Sequence, residues 1–345
     1  MKKWLQWVAA LVILTVLIWV FRDELGFLQD GFRRLRTADP FAVGLVIIAS
    51  LGAIIAMAEV MRVLIRAGGV PIPLKETTAI TLASNAWSTT LPAGPAFSAI
   101  LTFHVQRGWG ASVALAGWFF VLSSAVSTMW LVLIGLGGVV FFNAQMQVLS
   151  LLLALLAVVA LCGLVFWISN HPRTIERWLS RQKFLRGGKR DALIKQVRNL
   201  SEVHLNRWQF AQVAGYSLAN RLLDMASLWA CVWAITGDIP ALHAGEDQTT
   251  LAGVALAYLT AKLAGSAQVT PAGLGTVEAA IIATLVATGL TAIDATGAAV
   301  IYRLISFALI TVIGWVVYFW HYARNGLTYA ALNRKEHADA SRTAA

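Results

Sequence analysis

Long apolar runs constrain this chain more than any other feature of its sequence. The chain is 58% hydrophobic and only 13% charged, whereas soluble domains carry about a quarter charged residues. A helix needs about 20 apolar residues to cross a bilayer core of about 30 Å. The sequence therefore predicts an all-α, polytopic membrane protein with six spanning helices. The predicted spans are roughly residues 4–21, 41–66, 112–140, 147–169, 208–236 and 295–322.

Two further apolar regions are interrupted by helix-breaking residues. Residues 74–107 are cut by LPAGP at 91–95, and residues 249–290 are cut by TPAGLG at 270–275. The helical arms after these breaks reach only about 18 and 22 Å, which is too short to span comfortably. Irregular backbone at membrane depth must be buried in protein or line a wet cavity. We therefore predict two re-entrant or broken-helix hairpins.

The basic residues predict the orientation of the chain in the membrane. Most of its 27 Lys and Arg residues, ten of them in the loop 170–207, face the cytoplasm if both termini are cytoplasmic, as the enrichment of basic residues in cytoplasmic loops requires. This orientation accounts for the net charge of +10, so no nucleic-acid partner is predicted. The loop either lies on the anionic inner leaflet of the cytoplasmic membrane or is a solvated segment that only sets the topology.

The two halves of the chain are predicted to mirror each other. In this topology the first hairpin opens from the cytoplasmic side and the second from the outer side. Two turn signals also recur 179 residues apart, the PAG at 92–94 with that at 271–273, and Gly110 with Gly289. Inverted repeats with broken helices are typical of transporters. We predict a first repeat at 1–146, a second repeat at 147–322, and a disordered cytoplasmic tail at 323–345.

Charged residues within the predicted membrane segments are candidate substrate contacts, because a charge near mid-bilayer costs about 3 kcal/mol and is usually functional. Glu278 follows the second break and is expected to cap the helix start, to contact substrate, or both. Arg303 is its natural ion-pair partner. Arg221 and Asp224 lie on one helical face and either neutralise each other or contact substrate. The helix N-termini at the two breaks would favour an anion.

Other chemistries are not indicated by the sequence. GLGTVE at 273–278 matches only the first two glycines of a dinucleotide-binding loop and follows no predicted strand. The two cysteines lie in separate apolar runs and the six histidines are scattered, so neither a disulfide framework, a metal site nor a cofactor is predicted. The adjacent acid pairs at 23–24 and 246–247 lie in predicted outer loops. The protein is therefore expected not to be an enzyme.

The stretches SNAWSTTLPAGP, LANRLLDMASLW and TPAGLGTVE…GL…AAVIYRLISFALITVIGW resemble the flippase-like transmembrane domain of lysylphosphatidylglycerol synthases. The resemblance covers most of the chain and implies translocation of lipid between leaflets. The first hairpin departs from the family, which usually has an Arg and a Glu around the glycine where this chain has AGPA. Without the aminoacyl-transferase domain, aminoacyl-lipid synthesis is not expected. The family positions implied are Asn220, Asp224, Pro271, Gly273, Gly275, Glu278, Tyr302 and Arg303.

These arguments favour a flippase or transporter for an anionic or phosphate-bearing membrane lipid, such as a phospholipid or a polyprenyl-phosphate glycolipid. One alternative is an integral membrane enzyme that acts on lipid-linked sugars. Another is an accessory subunit that holds a protein partner of envelope glycolipid synthesis at the membrane. The candidate substrate-binding residues are Asn85, Pro92, Gly94, Asn220, Arg221, Asp224, Pro271, Gly273, Gly275, Glu278, Tyr302 and Arg303.

Overall fold

The computed structural model describes residues 35–91, 93–141, 205–266 and 273–323, together with Leu156 and Ala160. The secondary structure within these ranges is helical and contains no strand, which confirms the all-α prediction for them. In chain order the helices are α1 (Pro40–Ala67), α2 (Leu74–Thr90), α3 (Gly94–Gly108), α4 (Val113–Phe141), α5 (Arg207–Thr236), α6 (Leu251–Ser266), α7 (Thr276–Ala287) and α8 (Ala292–Tyr322).

Three of these helices are long and apolar enough to cross a membrane. They are α1, the segment Val113–Gly135 of α4, and α8, and they match the second, third and sixth predicted spans. This supports the prediction that the chain is a membrane protein and gives three candidate spans by length and composition. The helix α5 coincides with the fifth predicted span and has 30 residues. It is not one of the three, because Asn220, Arg221 and Asp224 lower its hydropathy.

Other predictions fall where the structure gives no description. The first predicted span lies entirely outside the described residues, and the fourth is described only at Leu156 and Ala160. The predicted boundary between the repeats at 146, the basic loop apart from residues 205–207, and the tail from 324 onward also lie outside them. The six-span topology and the inverted repeat therefore stay predictions.

Both predicted interruptions coincide with helix ends. The helix α2 ends at Thr90 and α3 begins at Gly94, whereas α6 ends at Ser266 and α7 begins at Thr276. In the first break Ala93 has a φ of 53°, a left-handed conformation that non-glycine residues rarely adopt. Pro92 and Pro271 themselves lie outside the described residues. The helix arms on either side of both breaks have the predicted extents to within three residues.

The described residues form two compact units. The first unit consists of those within Met1–Ser50, Leu82–Leu101 and Ala226–Ala345, and the second of those within Leu51–Thr81 and Thr102–Met225. In the first unit α6 and α7 form a helical hairpin. Their threonines pair across it, with Thr260 Oγ1 lying 2.8 Å from Thr284 Oγ1. Such small polar side chains let membrane helices approach closely and supply interhelical hydrogen bonds.

In the first unit, α8 also packs against the C-terminal part of α2, which belongs to the same unit. A Cβ atom on Gly314 would run into the Leu82 carbonyl oxygen and the Ala86 side chain, so α8 approaches the α2 backbone at a position where only glycine fits. One turn earlier Thr311 Oγ1 lies 3.0 Å from Thr89 Oγ1. This close contact fixes α8 against the helix that leads into the first break.

In the second unit, α5 is tied to both α1 and α4 by its polar side chains. Asn220 Nδ2 donates to the Ala53 carbonyl of α1 at 2.8 Å, and Arg221 Nη2 donates to Ser127 Oγ of α4 at 2.6 Å. These bonds give the Asn220 amide and the Arg221 guanidinium acceptors that lipid could not supply. Two adjacent residues of one helix therefore hold two different neighbours.

Candidate functional site

The second break is held by an ion pair in the first unit. Arg303 Nε donates to Glu278 Oε1 at 2.6 Å, and the side chains of Arg303 and Glu278 are only 7% and 14% exposed. A second guanidinium nitrogen, Nη2, lies 3.4 Å from Glu278 Oε2. The interaction joins the first turn of α7 to the middle of α8. It thereby neutralises two charges that would each be costly alone in a membrane.

The same guanidinium also binds the irregular backbone beside the break. Arg303 Nη2 donates to the Gly273 carbonyl at 3.0 Å, and Thr276 Oγ1 donates to the same oxygen at 3.1 Å. Gly273 has a φ of 67° and Gly275 a φ of 79°, conformations that glycine adopts without steric cost. The two glycines are therefore required by the turn that leads the chain into α7, and Arg303 binds the carbonyl within that turn.

Arg303 lies at the start of a π-helical segment, Arg303–Leu309, within α8. Such wide turns are rare and often occur at functional sites. Its guanidinium carbon lies 4.9 Å from the ring centroid of Phe307, a cation–π contact. Tyr302, the preceding residue, is buried, and its carbonyl accepts a hydrogen bond from Ser306 Oγ at 2.6 Å. The Arg303 guanidinium thus lies between two acceptors, the Glu278 carboxylate and the Gly273 carbonyl, and the aromatic face of Phe307.

The first break has no charged counterpart among the residues described there. Gly94 is buried, and a Cβ atom on it would collide with the Ser88 carbonyl, so only glycine allows α3 to begin so close to α2. Asn85 is half-buried, and its carbonyl accepts a hydrogen bond from Thr89 Oγ1 at 2.9 Å. The hydroxyls before this break bond largely to neighbouring backbone; Thr90 Oγ1 donates to the Ala86 carbonyl at 2.7 Å.

The remaining candidates, Asn220, Arg221 and Asp224, lie in the second unit. Sequence reasoning left open whether Arg221 pairs with Asp224, and the structure instead gives Arg221 the hydroxyl of Ser127. The second unit also contains a residue that the sequence analysis missed. Glu59, only 8% exposed, accepts from Arg62 Nε at 2.7 Å within α1. The detectable signal was an acid inside the predicted span 41–66.

A comparison with known protein families gives a match that covers the helices described above, up to residue 314 within α8. The sequence profile described as the lysylphosphatidylglycerol synthase transmembrane region matches residues 7–314. The chain belongs to this family. The search among curated proteins finds no match to the chain. The region matched to the lysylphosphatidylglycerol synthase transmembrane family contains both breaks, the Arg303–Glu278 ion pair and every candidate residue in the second unit.

The site brings charged and polar groups together at a helix interruption. Within the described residues no group of three or more His, Cys, Asp or Glu side chains is placed to hold a metal ion. What the first unit offers is a guanidinium, a carboxylate and a backbone carbonyl at an interruption between two short apolar helices. Such groups can bind or guide a polar headgroup by charge and hydrogen bonding.

Proposed function

We propose that this protein moves an anionic or phosphate-bearing lipid headgroup, of a phospholipid or a polyprenyl-phosphate glycolipid, between the leaflets of the cytoplasmic membrane. The observation that carries the proposal is the Arg303–Glu278 pair at the break before α7, in a chain of the lysylphosphatidylglycerol synthase transmembrane family. Ionisable residues inside membrane segments typically mark substrate or ion pathways. The headgroup would pass along this polar interruption while the acyl tails stay in the bilayer.

The topology that this activity needs is part of the proposal. Six helices would span the membrane with both termini in the cytoplasm, and the two hairpins would enter from opposite sides as halves of an inverted repeat. The helices after the breaks, α3 and α7, have only 15 and 12 residues, which supports re-entrant rather than spanning arms. Transporters built from inverted repeats place their substrate sites at such discontinuous helices.

The proposed transport makes no covalent change to the lipid, so the protein would act as a transporter and not as an enzyme. Its partners would be membrane lipids. The basic loop 170–207 would contact the anionic inner leaflet by electrostatic attraction. A protein of cell-envelope biosynthesis is a further proposed partner, since such a protein would supply or consume the lipid that is moved.

Transport can be tested with the purified protein in liposomes. Fluorescent phosphatidylglycerol and phosphatidylcholine would be incorporated in parallel, and a membrane-impermeant quencher would report how fast the inner-leaflet label becomes accessible. We expect protein-containing vesicles to exchange the anionic lipid faster than protein-free vesicles. If folded protein accelerates neither these lipids nor a polyprenyl-phosphate glycolipid, the proposal is wrong. Co-purification of an envelope-synthesis protein by such an inactive preparation would favour the accessory-subunit alternative.

A further inference from the structure

A second arginine, in the second unit, makes no ion pair that the described residues show. Arg221 lies at the middle of α5, a helix of 30 residues, about 21 Å from either end by helical rise. If α5 spans the membrane as proposed above, this guanidinium lies near mid-depth. A charged side chain there is costly and needs a compensating partner.

The described contacts of Arg221 supply one neutral partner. Its Nη2 donates to Ser127 Oγ at 2.6 Å, while its Nε is buried and has no hydrogen-bond partner among the described residues. A hydroxyl satisfies one donor and supplies no negative charge. A buried donor without a partner is unfavourable, and more so when the group is charged.

Two other arginines of apolar helices show the contrast. Arg303 pairs with Glu278, and Arg62 pairs with Glu59 at 2.6 Å. Arg221 belongs to neither pair, and within the described part of the chain no acidic side chain makes an ion pair with it. The membrane arginine with unused binding capacity is therefore Arg221 and not Arg303, whose guanidinium already binds Glu278 and the Gly273 carbonyl.

The side chains beside Arg221 hold it in place. Asn220 anchors α5 to the Ala53 carbonyl, and Ser127 orients the guanidinium from α4. On the same helix, Asp224 is a carboxylate three residues away and has an interaction of its own. A planar guanidinium held in this way presents its remaining donors in a fixed geometry, which suits the oxygens of a phosphate group.

We infer that Arg221 is the residue that binds the phosphate of the lipid, through the guanidinium donors that its described contacts leave unused. The inference rests on the proposed function for the lipid nature of the anion. It separates the roles of the two units: Arg303 holds the second break through Glu278, whereas Arg221 binds the anionic group. The ligand class is a lipid whose phosphate has no fixed positive charge beside it.

The test compares the unfolding temperature of the full chain in mixed micelles with and without phosphatidylglycerol. A ligand that binds only the folded state raises the transition temperature, and we expect a rise of about 3 °C or more for the unsubstituted protein at saturating lipid. Arg221→Gln should lose this rise, and Arg221→Lys should keep only part of it, because an ammonium group retains the charge but not the planar set of donors. Arg66→Gln is the matched control, since Arg66 is exposed and its Nε donates to the Ile72 carbonyl.

The same measurement with two other phosphate compounds distinguishes an anionic lipid from free phosphate. Phosphatidylcholine, in which a choline cation offsets the phosphate, should raise the transition temperature less than phosphatidylglycerol, and inorganic phosphate should raise it little. An equal rise with inorganic phosphate would overturn the lipid assignment. A full rise with phosphatidylglycerol in Arg221→Gln would overturn the role of Arg221.

Two further results keep the inference independent of folding and of transport. If Arg221→Gln does not fold, Ser127→Ala removes the contact that orients the guanidinium but keeps its charge, and it should reduce the lipid-induced rise. A full rise in both folded Ser127→Ala and folded Arg221→Lys would overturn the inference. A protein that shows the Arg221-dependent rise but moves no lipid would contradict the proposed function alone. Unchanged exchange of phosphatidylglycerol by folded Arg221→Gln would contradict the inference alone, since we expect a reduction of about tenfold.

Discussion

The side chains of Arg303 and Glu278 form a nearly buried ion pair, Nε to Oε1 2.6 Å, that joins the last apolar helix to the helix after the second break. Arg303 also binds the Gly273 carbonyl at 3.0 Å. One side chain therefore holds both the helix α7 and the backbone turn that leads into it. Because a buried ion pair offsets its desolvation only with good geometry and additional hydrogen bonds, this third acceptor matters to the stability of the site.

Removing one partner of the pair should destabilise the protein more than removing both. Glu278→Gln or Arg303→Met alone leaves an uncompensated buried charge, and we expect each to lower the free energy of unfolding by about 3–5 kcal/mol. The double variant should lose less than either single variant does. Reversible unfolding in detergent and denaturant would measure the cycle. Additive losses would contradict direct coupling between the two side chains.

Substitutions at the two glycines of the turn should differ in a way that the geometry specifies. Both have positive φ, so Gly275→Ala should cost about 1–2 kcal/mol from backbone strain. Gly273→Ala should cost more, because its Cβ would also lie 2.8 Å from Val277 Cγ2. Adding Val277→Ala should relieve part of the loss at position 273 and none of the loss at 275. Equal effects of Val277→Ala on both variants would refute the steric explanation.

The contact between α8 and α2 makes Gly314 intolerant of any side chain. We expect Gly314→Ala to lower the unfolding temperature by several degrees, since the added methyl group would collide with the Leu82 carbonyl and overpacking typically costs about 1–3 kcal/mol. Gly44→Ala is the matched control, because a Cβ atom at Gly44 in α1 meets nothing within 4 Å. Unfolding measured by tryptophan fluorescence distinguishes them. A neutral Gly314→Ala would contradict the close approach of the two helices.

The threonine pair of the second hairpin should contribute little but measurably. Thr260→Val and Thr284→Val each remove a hydroxyl while keeping the shape of the side chain, and the two oxygens lie 2.8 Å apart. Interhelical hydrogen bonds in membrane proteins average about 0.6 kcal/mol. A double-mutant cycle should therefore give a coupling of about that size. A coupling of zero would mean that both hydroxyls are satisfied by their own helices.

The breaks could be predicted from the sequence because proline and glycine act locally. The partner of Arg303 could also be predicted, since a lone charge in a membrane segment requires an opposite one and Glu278 was available. The positive φ of Gly273 and Gly275 lies outside the right-handed helical region and is consistent with the predicted break. The breaks follow from rules that apply to a residue and its near neighbours in the chain, whereas the pairing of Arg303 with Glu278, 25 residues apart, follows from charge balance in the membrane.

Other features depend on packing that the sequence pattern does not reveal. The π-helical turns Arg303–Leu309 and Tyr318–Tyr322 lie in an apolar run that has an ordinary helical pattern. Ser127, the partner of Arg221, is one small residue among many, and its role depends on which helices are neighbours. Glu59 was overlooked although it was visible as an acid within a predicted span. Its neutralisation by Arg62, three residues on, is a local pattern that can be read from the sequence.

The central claim is that the Glu278 carboxylate at the second break serves lipid movement. Its most direct test is the initial rate of phosphatidylglycerol exchange between leaflets in vesicles that contain the unsubstituted protein, Glu278→Gln, or the control Glu246→Gln, whose carboxylate is exposed in a loop. We predict that folded Glu278→Gln exchanges the lipid at least about tenfold more slowly, whereas Glu246→Gln exchanges it at the unsubstituted rate. Exchange of phosphatidylglycerol by folded Glu278→Gln at the rate of the unsubstituted protein would contradict the claim.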